Sequence, residues 1–199
     1  MEIGCGDGAL LAQLHGMAGV LDGFELSAPA AALARRAVPG ARRIEAYDGE
    51  HVPAEDGAYD LAILSHVLEH VPVPLPLLAE AGRVAPWVLV EVPLERNRSA
   101  ARPAKRAEAA RIGHLHAFDR ADVHALVAAA GLRMEAELTD PLPYPHHAFF
   151  AATAPARAGA AAKWAVRAAA HRLAPRAAER LFTVHYAALT RRRDPTMCG

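Results

Sequence analysis

Apolar positions along the chain fall into short continuous runs, separated by longer segments in which they recur at three- and four-residue spacing. Met1–Ile3, apolar apart from Glu2, is the first; it ends in Gly4, Gly6 and Gly8, and Ala9, Leu10, Leu11, Ala12 and Leu14 then follow with helical spacing. Further strands are predicted over residues 20–26, 43–47, 59–65, 87–93, 132–139 and 147–152. Helices are predicted from Pro29 to Ala37, over residues 73–84 and over 120–130. Pro29 stands where a missing N–H does no harm, Asp119 reads as an N-cap, and Gly131 as the glycine after a last helical turn. Alternating strands and helices predict an α/β fold.

Two stretches depart from this alternation. Residues 94–113 read as an irregular insert carrying six Lys/Arg (Arg96, Arg98, Arg102, Lys105, Arg106, Arg111) against two Glu. Beyond Pro155 the chain is rich in Ala and Arg, which predicts two helices broken near Pro175. Leu181, Phe182, Tyr186 and Leu189 would share a helix face there, docked on the body or on a second subunit. The division expected is a domain over 1–154 and a basic, Ala/Arg-rich helical extension over 155–199.

Composition narrows the class. The chain has 199 residues, of which 53% are hydrophobic, enough for one α/β domain with a core and an appendage. No run is long and apolar enough to span a membrane. The two cysteines, Cys5 and Cys198, do not form a disulfide framework. A cytoplasmic protein is expected. Net charge is zero but unevenly spread: residues 155–199 hold nine Lys/Arg against two Asp/Glu, and the remainder thirteen against twenty. The basic tail lacks interleaved aromatics, so neither nucleic acid nor a membrane surface is the expected partner. A homodimer through the C-terminal helices is the protein partner considered.

The candidate chemistry starts at Glu2, Gly4, Gly6 and Gly8, an acid-x-Gly-x-Gly-x-Gly string between a strand and a helix. Glycines let the backbone approach a nucleotide-like ligand, and the helix N-terminus adds free N–H groups. Gly4, Gly6 and Ala9 also satisfy the dinucleotide pattern G-x-G-x-x-G/A, so this string alone leaves two nucleotide-binding families open. Glu25, at the end of the second strand, stands where a carboxylate can accept both ribose hydroxyls in either family.

Residues 41–65 separate the two. Asp48-Gly49-Glu50-His51-Val52-Pro53, then Tyr59-Asp60-Leu61-Ala62-Ile63, resembles the pattern D-a-x-x-L-P-x-x-D-x-x-F-D-x-V of the class I S-adenosylmethionine (SAM) dependent methyltransferases. Ser65-His66-Val67-Leu68-Glu69-His70-Val71 resembles the h-x-L-E-H-v segment of their small-molecule members, and Tyr59–Pro93 is also similar to MetW-like proteins of the same superfamily. The resemblance covers residues 1–154. It implies a Rossmann-like sheet, mostly parallel, with the last strand antiparallel between strands five and six. It implies SAM as cofactor, with Glu2, Gly4, Cys5, Gly6, Gly8, Glu25, Leu26, Asp48, Gly49, Ser65 and His66 as its site. Asp48 would accept the adenine amino group. Relatives carry further residues before the glycine string, so the chain reads as truncated at its N-terminus.

The reaction implied is methyl transfer to a small-molecule acceptor, for which the basic insert suggests an anion. His66, His70, His114 and His116 are candidates for a general base, histidine titrating near neutrality; His70 and His114 are the pair chosen. Some members place E-x-x-E-H and a later His around a divalent ion. Here His66 stands in place of the first Glu, before Glu69 and His70, and no metal is assigned. The alternative function is a non-catalytic, MetW-like protein that binds SAM or a partner.

Overall fold

The computed structural model describes residues 1–149 and 151–193, apart from the side chain of His146. In chain order the elements are β1 (Glu2–Ile3), α1 (Ala9–Leu14), β2 (Asp22–Glu25), α2 (Ala28–Ala37), β3 (Arg43–Ala46), β4 (Leu61–Ser65), α3 (Pro74–Val84) and β5 (Trp87–Pro93). There follow α4 (Pro103–Arg111), α5 (Arg120–Ala129), β6 (Leu132–Asp140), α6 (Tyr144–Ala148), α7 (Ala154–Leu173), α8 (Pro175–Leu181) and β7 (His185–Arg192). Seven strands form one sheet in the order β3-β2-β1-β4-β5-β7-β6. The first five are parallel, and β7 runs antiparallel to both β5 and β6.

A parallel sheet is covered on both faces by its crossover helices, so its central strands are apolar throughout rather than alternating. Ile3, Phe24, Ala62, Leu64, Val88 and Val90 are all fully buried. Short as it is, β1 is paired on both sides: Glu2 lies opposite Gly23 of β2 and Ile63 of β4. Successive strands run outward from β1 in one direction and from β4 in the other. The order therefore reverses between these two strands, which opens a crevice at their carboxyl ends.

The last strand is not where the sequence places it. None of the described residues among 147–152 is in a strand: Pro143 caps α6, Pro145 lies in its first turn, and Tyr144 packs edge-on against Trp164 of α7 at 6.1 Å. Phe150 lies outside the described residues. The antiparallel strand between β5 and β6 comes from 185–192, inside the stretch expected to be helical. Val184, Tyr186, Ala188 and Thr190 are fully buried and the residues between them are not, a period of two. Pairing on both edges of this slot overrides the helical preference of Ala187, Ala188 and Leu189.

The expected docking face is accordingly not a helical one. Phe182 and Tyr186 are buried in the body, Leu189 is half-buried in β7, and Leu181 stays 45% exposed. The two helices broken at Pro175 are present as α7 and α8. Asp119 and Asp122 form a capping box at the start of α5, and Gly131 takes φ +74° after its end. The insert is less irregular than expected: α4 occupies residues 103–111, and the amides of Arg98 and Ser99 donate to the carbonyls of Arg180 and Leu181.

Candidate active site

A cleft of about 710 Å³ opens at the carboxyl ends of β1, β2 and β4. The chain leaves β1 through Gly4, Gly6 and Gly8, whose φ angles are +72°, +54° and +86°, a region that favours glycine. At Gly4 there is a second reason for glycine, because a Cβ would stand 2.5 Å from Val67 Cγ2. Gly8 makes a close approach of another kind: its Cβ would meet the Ala34 backbone at 3.0 Å, so α1 could not pack against α2. Cys5 is buried beside Gly23, and burial pushes its thiol up to about 12, which leaves it protonated and inert.

Glu25 closes this loop from the next strand. Its Oε2 accepts from the Gly6 amide at 2.9 Å and its Oε1 from the Ser27 amide at 2.9 Å. Each carboxylate oxygen has two acceptor sites, so both retain capacity for a ligand hydroxyl. Across the cleft, Asp48 Oδ1 accepts from the amides of Glu50 and His51 at 2.8 and 2.7 Å. These amide bonds, that from His51 foremost, hold the carboxyl below its usual range. Gly49, at φ +86°, places its backbone under Leu26. Sequence reasoning had passed over Tyr47, which adds an aromatic wall braced edge-on by Phe24 at 6.2 Å.

The other wall is built of histidines. His66 follows β4 with φ +55° and is the one non-glycine residue with positive φ among the described residues. Its Nδ1 lies 3.0 Å from Glu69 Oε1. A carboxylate there must accept, so Nδ1 carries the proton, and this bond is the main cause of a raised imidazole pKa. His70 Nδ1 donates to the Gly113 carbonyl at 3.1 Å, and His114 Nδ1 to Glu95 Oε2 at 2.7 Å. In each ring Nε2 is then left as the lone-pair nitrogen in the neutral form. The two rings meet edge to face at 4.9 Å. Glu69, His70 and His114 bring one ligand-type atom each within 4.8 Å of the others, and Glu69 Oε2 is buried without a hydrogen-bond partner. His116 is turned away, its Nε2 donating to the Val71 carbonyl at 2.9 Å.

Of the residues expected at the site, Gly4, Glu25, Leu26, Asp48, Gly49, His66 and His70 line the cleft. Glu2, Cys5, Gly6, Gly8, Ser65 and His114 stand behind it. Gly6 holds Glu25, and Ser65 Oγ donates to Glu91 Oε2 at 2.7 Å. Glu2 is 3% exposed; burial raises its carboxyl to about 7 and its Oε2 has no partner. The basic side chains of the insert are not in the cleft lining. Sequence reasoning missed Glu91 and His185, whose side chains meet beside His66, Nδ1 of His185 lying 3.4 Å from Glu91 Oε1. Glu91 sits at the end of a recognised strand, a position that could have flagged it. His185 gave no signal, because the strand that carries it was read as helix.

Comparison with known proteins bears on the fold and the family. No curated protein sequence matches the chain. Among solved structures it is similar to a Bacillus halodurans protein named as a methyltransferase, at 15% identity and a TM-score of 0.65 over 97% of this chain and 91% of that one. It is also similar to geranyl diphosphate C-methyltransferase from Streptomyces coelicolor, at 15% identity and TM-score 0.69 over 96% and 70% of the two chains. The [4+2]-cyclase SpnF shares the fold at 18% identity and TM-score 0.66, over 96% and 74%. Among the described residues, no helix is long and apolar enough to cross a membrane. Residues 1–137 match the family model described as a methyltransferase domain, well over half of the chain, and the protein therefore belongs to the SAM-dependent methyltransferase family.

Proposed function

We propose that the protein transfers a methyl group from SAM to a small-molecule acceptor, with the cofactor held between the glycine loop, Glu25 and Asp48. The observation that carries this reading is the convergence of Gly4, Glu25, Asp48 and Gly49 from three separate segments on one cleft. Its volume, about 710 Å³, suits a ligand of nucleoside size plus a small acceptor. The residues fit the group: a Cβ at Gly4 would collide with Val67, which also lines the cleft, and the Glu25 carboxylate keeps free acceptor capacity for ribose hydroxyls.

Bound SAM supplies an already activated methyl sulfonium, from which the methyl passes in line to an O, N, S or C nucleophile. What remains for the chain is orientation and proton removal. Glu25 and Asp48 fix the two ends of the nucleoside, and Tyr47 and Leu26 exclude water from the surface between them. His70 accepts the acceptor's proton at Nε2, because its Nδ1 is committed to the Gly113 carbonyl. His114, held by Glu95, buttresses the His70 ring edge to face.

The second reading is a methyltransferase-like protein that binds SAM without transferring its methyl group, MetW-like in character. It is favoured by the likeness to a protein named as a cyclase on the same fold. Incubation with methyl-labelled SAM and a panel of phenols, hydroxy acids, amines and thiols separates the two. Label in an acceptor, with loss of transfer in His70→Gln, supports methyl transfer. SAM binding with no label in any acceptor supports the second reading.

A further inference from the structure

Beside the cleft, three side chains from three elements converge. His66 follows β4, Glu91 is on β5, and His185 begins β7, opposite Pro93 of β5. His66 Nε2 is 3.8 Å from Glu91 Oε1, and His185 Nδ1 is 3.4 Å from that same oxygen. All three donor atoms lie within 4.8 Å of one another. A four-coordinate ion with bonds near 2.0–2.2 Å needs its donors about 3.3–3.5 Å apart, which small side-chain rotations reach from here.

Three independent features indicate that the set is built. The nitrogen of His66 that faces away from Glu91 donates to Glu69, a fully buried carboxylate, at 3.0 Å. The oxygen of Glu91 that faces away from the histidines accepts from Ser65 at 2.7 Å. Carboxylate-to-histidine and hydroxyl-to-carboxylate contacts of this kind orient metal ligands and fix the histidine tautomer. The backbone of His66 is also held at φ +55°, costly for a residue with a side chain, and the result is an imidazole packed edge to face on His185 at 4.7 Å.

We propose that His66 Nε2, Glu91 Oε1 and His185 Nδ1 bind a divalent transition-metal ion of the zinc type. Two imidazoles and one carboxylate suit such an ion better than magnesium, which prefers oxygen donors and retained water. Each ligand residue is partly exposed, so a fourth position is open to a ligand from the cleft. Resting on the methyl-transfer reading, that ligand would be an acceptor hydroxyl or phenol, whose O–H proton passes to His70 Nε2 while the ion would stabilise the oxyanion left behind.

The test is titration of the full, chelator-stripped chain with Co²⁺ alone, followed by displacement with Zn²⁺, reading the visible spectrum and the heat. One ion per chain is expected. His66→Gln and His185→Gln should each weaken binding at least about tenfold, and Glu69→Gln by about 10–100-fold through the lost support of His66. Melting curves establish that each variant is folded. His70→Gln and His114→Gln should leave cobalt affinity unchanged, because they belong to the neighbouring trio with Glu69. Absence of stoichiometric binding, unchanged affinity in His185→Gln, or loss of binding in His70→Gln or His114→Gln would each overturn the proposal. SAM titrations of the same samples keep a failure here distinct from a failure of the cofactor reading.

Discussion

The amide of Gly6 donates to Glu25 Oε2 at 2.9 Å, so the glycine loop leaving β1 and the carboxylate ending β2 are one unit. A glycine-rich loop left untied would otherwise sample open conformations. Here it is tied to a neighbouring strand through the residue that is also placed to receive a ligand. Glu25 therefore has two tasks, and its replacement should disturb both.

Gly4→Ala should lower both stability and SAM affinity. The left-handed backbone alone costs about 1–2 kcal/mol for a residue with a Cβ, and that Cβ would stand 2.5 Å from Val67 Cγ2. Adding Val67→Ala relieves the overlap but not the backbone strain, so the double variant should recover only part of the loss. Chemical denaturation of the parent and these two variants checks this; a neutral Gly4→Ala would contradict it.

Tyr186→Ala should cost about 3–5 kcal/mol, the range for removing a large buried aromatic. Tyr186 is fully buried in β7, and its hydroxyl donates to Glu137 Oε2 at 2.7 Å. A urea titration giving a loss under about 1 kcal/mol would mean that β7 is not held in the sheet as described.

Much of the first half of the fold was legible in the sequence because its signals are local. The glycine string, Glu25 and Asp48 each lie at a strand end, and strand–turn–helix spacing places strand ends on one edge of a parallel sheet. The second half hid its decisive pairing. Residues 185–192 satisfy both a helical and an alternating pattern, and only the slot between β5 and β6, more than forty residues away along the chain, chooses between them. With that strand misread, His185 had no place, and its meeting with Glu91 and His66 was invisible. The six basic residues of the insert suggested an anionic acceptor; none of them lines the cleft, and Arg96 pairs with Asp122 at 2.9 Å and Lys105 with Glu108 at 2.5 Å on the surface.

Glu2 gives the stability a pH dependence of definite sign. Burial raises its carboxyl to about 7, from 4.5 for an ordinary glutamate. Between those values the folded protein keeps a proton that the unfolded chain has released, so stability falls as pH rises through this window and levels off above it. Glu2→Gln, which cannot ionise, should flatten that fall and gain on the order of 2–3 kcal/mol relative to the parent at pH 8 compared with pH 4. Denaturation midpoints measured across this range check it, and parallel curves for the two proteins would refute the assignment.

The central claim is that the cleft holds SAM through Glu25, and calorimetric titration of the chain and of Glu25→Ala with SAM tests it most directly. Loss of a charge-assisted, two-oxygen contact is worth about 1.5–3 kcal/mol, or roughly 10–150-fold in affinity. The account predicts saturable binding of one SAM per chain, weakened by that factor in a Glu25→Ala protein that still folds. No binding by the parent chain, or equal affinity in the variant, would contradict it.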